Sequence, residues 1–220
     1  MRVESRYNGP PGSGNGGWSA GTFAAAAGLP GPVEVTLRRP PPLDTPLTVV
    51  DGEVHDPDGL VVAEVRPTDG FDAVVPPVDR ADAVRVSAAY PGFVGHPFPD
   101  CYVCGPRRAD GLRIFPGRVP DGRTAAPFRA PAEVTTATVW AALDCPGGWA
   151  VIAPGRPYVL GRIAALVDAL PEPGDECVVT GVTVGVEGRK AGVHTSLYGP
   201  TGALLATARA TWIALPGSAT

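Results

Sequence analysis

The residues best suited to chemistry near the start of the chain are Asn15, Gly16 and Gly17, which open an alanine-rich segment ending at Gly28. This composition predicts a helix that Asn15 or Ser13 would cap. The first amides of a helix have no intrahelical acceptor, and the helix dipole favours negative charge beside them. Because glycine lets a ligand approach the backbone closely, we predict that this helix start binds a carbonyl oxygen on which negative charge develops. An asparagine-capped loop without a function is the alternative.

A second chemically competent group is the motif Cys101-Tyr-Val-Cys104-Gly. Such a pair provides half of a tetrahedral zinc site, and His96 with Cys145 or Cys177 would supply the other half. A redox pair is another interpretation, although the chain around the motif lacks the βαβ pattern of thioredoxin-like proteins. The Gly-Pro that follows favours a turn holding two thiols. We therefore predict no metal and no cofactor, and zinc at His96, Cys101 and Cys104 is the alternative.

The remaining motifs match no familiar catalytic pattern. His55, His96 and His194 are the only histidines, and none stands in a nucleophile–base arrangement. The chain has no Gly-x-Ser-x-Gly elbow, which disfavours an α/β-hydrolase. The glycine-rich stretch 12–17 is not followed by Gly-Lys-Ser/Thr, so it is not a P-loop.

Strands and two helices must position these residues. Residues 33–38 alternate between apolar and polar types, as in an antiparallel strand with one solvent-exposed face. The predicted strands are 33–39, 47–55, 60–66, 123–129, 158–170, 176–187, 190–197 and 203–213. A second helix is predicted over 131–144, with a stop at Cys145-Pro-Gly-Gly148 and a restart at Trp149 as the alternative. Residues 83–88 are compatible with either a strand or a helix.

The order of elements occurs twice along the chain. Asp56–Val65 and Gly199–Ala208 share Pro, Gly and Ala at equivalent positions, and each indicates a tight turn that leads into a strand. Each is preceded by another strand and, further upstream, by a helix of small residues. The repetition predicts two copies of one module, 1–75 and 111–220, joined by an irregular connector at 76–110.

Composition excludes several classes of function. The 220 residues are 44 % hydrophobic and 18 % charged, which is typical of a globular chain with a large core. A formal net charge of −4 offers no attraction to nucleic acid. No apolar run approaches the roughly 20 residues of a membrane span, and the first residues contain no apolar signal core. We expect a cytoplasmic protein with no nucleic-acid or membrane partner.

The predicted arrangement resembles the hotdog fold, in which an antiparallel sheet wraps around a central helix. Two such units in one chain resemble the double-hotdog acyl-CoA thioesterase-like proteins. The resemblance is carried by Gly9–Gly17, Val35–Val49, Ala141–Asp144 and the two turn-and-strand segments, and it covers about residues 7–66 and 110–214. It implies an α+β fold of two tandem hotdog modules, each an antiparallel sheet wrapped around a central helix.

The resemblance also implies a thioester site. Asp144 ends the predicted second helix, where hotdog thioesterases often carry an Asp or Glu that acts as general base or nucleophile. In the usual antiparallel arrangement of modules, Asn15, Gly16 and Gly17 share one catalytic site with Asp144. An aspartate that caps the following turn is the alternative. Hotdog proteins also include dehydratases, hydratases and non-catalytic acyl binders. The first two usually pair a His with an Asp, and no His lies near either helix start in the sequence.

The expected substrate is an acyl-CoA or acyl-carrier thioester. Trp18, Thr135 and Thr136 are predicted to contact it, although simple capping by threonine is an alternative. Because the two threonines replace the glycine pair at the second helix start, we expect one working site per chain. The arginines at 38, 39, 107, 108 and 113 are candidates for contact with the phosphates of the carrier. The sequence does not specify an oligomeric state, and homo-oligomers are compatible with the resemblance because hotdog units commonly associate.

Overall fold

The computed structural model describes residues 1–153 and 155–216, which form a single antiparallel sheet with three α-helices. The helices are α1 (Gly16–Ala27), α2 (Arg80–Ser87) and α3 (Thr136–Val151). The strands are β1 (Val33–Leu37), β2 (Thr48–Val50), β3 (Glu53–His55), β4 (Val61–Pro67), β5 (Gly117–Arg118), β6 (Thr124–Arg129), β7 (Tyr158–Val167), β8 (Glu176–Glu187), β9 (Lys190–Tyr198) and β10 (Leu204–Ala214). Of the helices within these ranges, none has the length and hydropathy of a membrane span.

The two halves of the chain contribute opposite ends of the same sheet. The strand order is β2-β3-β4-β1-β7-β10-β9-β8-β6-β5, and the halves meet where β1 pairs with β7, with Val35 opposite Ile163. The helices α1 and α3 pack against each other and against this sheet, and their side chains belong to one hydrophobic core. The contact between α1 and α3 therefore brings residues from the two halves together.

The first helix forms as the sequence predicts. The side-chain oxygen of Asn15 accepts a hydrogen bond from the Trp18 amide at 2.9 Å, which satisfies one of the amides at the helix start. Gly28 ends the helix with a left-handed φ of 60°. The small residues between them allow α3 to approach closely: a Cβ atom added to Gly21 would lie 2.8 Å from the Cα of Ala137.

The second helix differs from the prediction at both ends. It begins after Thr135 and continues through Pro146 to Val151, so the predicted stop at the Cys-Pro-Gly-Gly segment is wrong. Side chains of the sheet satisfy helix carbonyls around the proline: the Thr195 hydroxyl donates to the carbonyl of Leu143 at 2.8 Å, and the Thr124 hydroxyl donates to that of Pro146 at 2.7 Å. Tertiary contacts thus override the local helix-breaking signal.

Replacing Thr195 with valine is expected to lower the free energy of unfolding by about 1 kcal/mol, the net contribution of a typical hydrogen bond. The change preserves the shape of this buried side chain and removes only its donor. Thr207→Val is the matched control, because Thr207 is also a buried strand residue and its hydroxyl makes no hydrogen bond within the described residues. Urea unfolding measures both changes, and equal losses would contradict a role for the Thr195 hydroxyl.

Most predicted strands agree with the structure to within three residues at each end. The exception is 47–55, which forms the hairpin β2–β3 because Asp51 and Gly52 adopt φ values of 50° and 77° and turn the chain. The connector contains α2, so the ambiguous residues 83–88 are mainly helical. This helix packs on β6 and β8 through a small separate apolar cluster.

The repeated segments form the same turn in both halves. The amide of Gly59 donates to the carbonyl of Asp56, and the amide of Gly202 donates to the carbonyl of Gly199, both at 3.0 Å. The two glycines have φ values of 77° and 82°, a region that other residues rarely adopt. Each turn closes a hairpin, β3–β4 or β9–β10, so the repeated sequence segments form the same local turn and hairpin.

Candidate functional site

The structure brings Asp144 to the start of α1. The Oδ2 atom of Asp144 accepts hydrogen bonds from the Gly17 amide at 2.9 Å and from the Asn15 side-chain amide at 3.1 Å. Asp144 lies within α3 rather than at its end, so it does not cap a turn after that helix. It instead places a carboxylate at the positive end of α1, an arrangement that the helix dipole favours.

The carboxyl of Asp144 is almost completely enclosed. Both Asn15 and Asp144 are 2 % exposed, and the Oδ1 atom of Asp144 has no hydrogen-bond partner in the described part of the chain. Burial raises the pKa of Asp144 to about 7, although the hydrogen bonds from Gly17 and Asn15 oppose the rise. The site therefore contains one carboxylate oxygen, Oδ1 of Asp144, to which no described protein group donates a hydrogen bond.

A cavity of about 460 Å³ adjoins this carboxyl. It is lined by Asn15, Gly16 and Asp144, and its walls are largely apolar. The larger apolar side chains that line it are those of Leu37, Phe98, Trp149, Ile152, Tyr158, Leu160, Trp212, Ile213 and Leu215. Apolar pockets of this size with a few convergent polar groups are typical of small-molecule sites.

The two glycine amides of the predicted carbonyl site differ in availability. The Gly17 amide is hydrogen-bonded to Asp144. The Gly16 amide is the first of α1 and makes no hydrogen bond within the described residues. Because Gly16 also lines the cavity, its amide is the one that remains available to a ligand.

Three cysteines form a cluster beside this carboxyl. The Sγ atoms of Cys101, Cys104 and Cys145 all lie within 4.8 Å of one another, and all three residues line the cavity. Cys177, the other candidate from the sequence, lies on β8 outside this group. The Nε2 atom of His96 is 3.3 Å from the Sγ atom of Cys104.

The three thiols shift the pKa values of one another in different directions. Hydrogen bonds from Cys104 and Cys145 hold the pKa of Cys101 well below its usual range. Burial raises the pKa of Cys104, and the hydrogen bond to Cys101 raises the pKa of Cys145. The cluster therefore favours the thiolate form at Cys101 over the thiolate forms of Cys104 and Cys145.

Comparison with solved structures decides the fold of the sheet that encloses this site. One match is a candidate thioesterase from Novosphingobium aromaticivorans, at a TM-score of 0.63 and 19 % identity, covering 98 % of this chain and 94 % of that one. Another is a protein of unknown function with a hot dog fold from Alicyclobacillus acidocaldarius, at a TM-score of 0.58 and 17 % identity, covering 98 % and 92 %. This chain has a hotdog fold. No protein-family model and no curated protein sequence matches it.

Three residues predicted to contact substrate lie outside the cavity of this hotdog protein. Trp18 stacks on Tyr7 with 3.6 Å between ring centroids. Thr135 caps α3 through a reciprocal pair of hydrogen bonds with Thr138, and Thr136 is the first residue of that helix. The capping alternative accounts for Thr135, and the contact of these residues with substrate stays a prediction.

The connector also brings a histidine to the cavity, a position that the sequence did not indicate. His96 lines the same cavity as Gly16 and Asp144, although it is far from both helix starts in the sequence. Its Nδ1 atom accepts a hydrogen bond from the Phe98 amide at 2.8 Å. Only its proximity in sequence to the Cys-x-x-Cys motif hinted at this position.

The arginines divide into two groups. Arg38, Arg39 and Arg189 line the cavity, whereas Arg107, Arg108 and Arg113 do not. Arg38 pairs with Glu64 at 2.7 Å, and Arg39 makes no ion pair within the described residues. Sequence reasoning missed Arg189, which follows a glycine turn between β8 and β9 and carries no motif.

Proposed function

We propose that this chain is a double-hotdog acyl-thioester hydrolase with one asymmetric site. The observation that carries the proposal is the contact between Asp144 of α3 and the Gly17 amide of α1 beside an apolar cavity. The first half supplies the glycine helix start, and the second half supplies the carboxylate. A mirror-image site would need a carboxylate on α1, and that helix contains none.

The proposed reaction uses two groups of cavity-lining residues, the Gly16 amide and the Oδ1 atom of Asp144, which make no hydrogen bond within the described part of the chain. The thioester carbonyl oxygen accepts a hydrogen bond from the Gly16 amide, and the α1 dipole stabilises the negative charge that develops on it. Asp144 accepts a proton from a water molecule through Oδ1 as the water oxygen attacks the carbonyl carbon. The carbon–sulfur bond then breaks, and the departing thiolate takes up the proton that Asp144 had accepted, which restores the carboxylate. The products are a carboxylic acid and the free thiol of the carrier.

The lining of the cavity supports a thioester with an apolar acyl group and an anionic carrier. Apolar side chains provide most of the wall. The cavity-lining arginines, Arg38, Arg39 and Arg189, are candidates to bind the phosphates of a carrier such as coenzyme A. One structural relative is itself described as a candidate thioesterase. The expected substrates are therefore acyl-CoA or acyl-carrier thioesters.

Hydrolysis of a panel of acyl-CoA substrates of increasing chain length tests the proposal. Chromatographic separation of free CoA from acyl-CoA measures the product without interference from the cysteines of the protein. We expect turnover of at least one member of the panel above the rate with heat-inactivated protein. The absence of turnover across the panel and across the matching acyl-pantetheine compounds would contradict the assigned activity.

Replacing Arg39 with glutamine is expected to raise KM for acyl-CoA about fivefold, since an exposed ion pair contributes up to about 1 kcal/mol. The KM for an acyl-pantetheine substrate without the nucleotide should not change. Arg107→Gln is the matched control, because Arg107 is an exposed arginine that does not line the cavity. Steady-state kinetics on both substrates measure the effect. Equal changes in the two variants, or an equal change on both substrates, would contradict phosphate contact by Arg39.

A non-catalytic acyl binder is the second candidate, and the burial of Asp144 favours it. One carboxylate oxygen already caps α1, and a carboxylate with only that structural role would leave a shape-selective pocket. Titration with a non-hydrolysable acyl-CoA thioether, together with the hydrolysis panel, separates the two functions. A hydratase or dehydratase is less well supported, because both ring nitrogens of His96 are engaged, one by Phe98 and one by Cys104.

A further inference from the structure

The thiol cluster has the composition and spacing of a metal site. Cys101, Cys104 and Cys145 are 3–5 % exposed, and their sulfurs lie within 4.8 Å of one another. Thiolates bound to one tetrahedral zinc ion at about 2.3 Å stand about 3.8 Å apart. Small side-chain adjustments would therefore bring all three sulfurs to bonding distance.

The segment that carries Cys101 and Cys104 is a tight turn, held by a backbone hydrogen bond and close packing at Gly105. The Gly105 amide donates to the carbonyl of Cys101 at 2.8 Å. A Cβ atom at position 105 would lie 2.4 Å from the Cys101 nitrogen and 2.6 Å from the carbonyl oxygen of Pro99, so only glycine fits. The third cysteine, Cys145, is held on α3. The connector and α3 thus present their sulfurs to one point.

We propose that Cys101, Cys104 and Cys145 bind one Zn²⁺ ion and thereby fasten the connector between the halves to α3. Binding displaces a proton from each neutral thiol and forms three zinc–sulfur bonds, so the complex carries one net negative charge. The Asn15 side-chain amide lies 3.8 Å from the sulfur of Cys101 and 4.0 Å from that of Cys145, where it partly offsets this charge. This proposal supersedes the expectation from sequence that the motif is a metal-free turn.

His96 serves this site as a hydrogen-bond donor rather than as a ligand. Its Nδ1 atom accepts from the Phe98 amide, so the proton of the neutral ring is on Nε2. Nε2 then donates to the sulfur of Cys104 and cannot at the same time bind a metal. The fourth position of a tetrahedral ion is left to a group from the cavity, which all three cysteines line.

Zinc content of the purified full-length chain tests the proposal. Protein prepared under reducing conditions without chelators, loaded with Zn²⁺ and desalted, should retain about one ion per chain by elemental analysis. The Cys104→Ser and Cys145→Ser variants should each lose most of the metal. Cys177→Ser is the matched control, a buried free cysteine outside the cluster that should retain it. Wild-type protein that retains no more zinc than Cys104→Ser would overturn the proposal.

A second measurement needs no variant, so it remains informative if a serine substitution prevents folding. Alkylation of the wild-type chain, followed by mass spectrometry of its peptides, reports the reactivity of each cysteine. Zn²⁺ should slow the modification of the three cluster cysteines and leave that of Cys177 unchanged. Equal rates with and without Zn²⁺, or a disulfide between two cluster cysteines in place of protection, would overturn the proposal.

The role of His96 is tested separately. Removing a hydrogen-bond donor from behind a metal ligand typically lowers metal affinity about 10- to 100-fold without abolishing binding. We expect His96→Gln to retain zinc with a Kd raised by about that factor in competition with a chromophoric chelator. A loss as complete as that of Cys104→Ser would show that His96 is a ligand and overturn its role as donor. None of these measurements depends on hydrolysis, so the zinc site and the proposed function can fail independently.

Discussion

Replacement of Asp144 by asparagine is expected to lower kcat for acyl-thioester hydrolysis by about 10²- to 10⁴-fold, the usual contribution of a general base. Asparagine preserves the size of the side chain, and its carbonyl oxygen can still accept the hydrogen bond from Gly17. The variant therefore keeps the contact between α1 and α3 and loses only the group that takes the proton. Steady-state kinetics on the best substrate of the acyl-CoA panel measure the effect.

Two controls separate this loss from a general loss of structure. Asp82→Asn makes the same change on α2, where the carboxylate is exposed and does not line the cavity, and it should leave kcat unchanged. The melting temperature and zinc content of Asp144→Asn should stay close to those of the parent chain. If Asp144→Asn hydrolyses the substrate at the parental rate, Asp144 is not the base. The carboxyl would then have only the structural role of capping α1.

Replacement of Gly17 by alanine is expected to lower the free energy of unfolding by about 1–2 kcal/mol, because a clash with helix backbone places the overpacking cost at the upper end of the usual range of about 1–3 kcal/mol. A Cβ atom at position 17 would lie 2.5 Å from the Cβ of Asp144 and 2.6 Å from the carbonyl oxygen of Trp140. The second of these is a backbone atom of α3, so the whole helix must shift to relieve the contact. The gain in helix propensity from glycine to alanine is about 1 kcal/mol and opposes the loss without cancelling it.

Gly70→Ala is the matched control for this prediction. A Cβ atom at Gly70 has no heavy atom within 4 Å, and its φ is not in the left-handed region. We expect its effect to stay within about 0.5 kcal/mol, as for most exposed sites. Urea unfolding compares the two variants with the parent chain. A Gly17→Ala variant as stable as Gly70→Ala would show that α1 and α3 are less closely packed than their contact indicates.

Features that depend on neighbouring residues were predictable. Asn15 and Gly28 mark the ends of α1, and the repeated glycine turns mark where β4 and β10 begin. These signals are local because capping and turn geometry involve residues within a few positions of each other. The strand at 47–55 was the exception, since Asp51 next to Gly52 is a turn signal that the long apolar pattern concealed.

The candidate site was only partly predictable. The resemblance to hotdog proteins pointed to Asp144 and to the glycine pair, and the structure places them in contact. It could not show that Gly17 is occupied by Asp144, which leaves Gly16 as the free amide. Nor could the motif at Cys101 indicate which distant cysteine, Cys145 or Cys177, joins it.

The sequence by itself therefore determined the repeated glycine turns, the cap of α1 and the types of residue available for chemistry. The tertiary structure alone decided that α3 continues through Pro146, that Cys145 joins the pair at Cys101, and that His96 enters the cavity. The physical reason is distance along the chain. Gly17 and Asp144 are 127 positions apart, and their hydrogen bond exists only because two helices of small residues pack closely against one sheet.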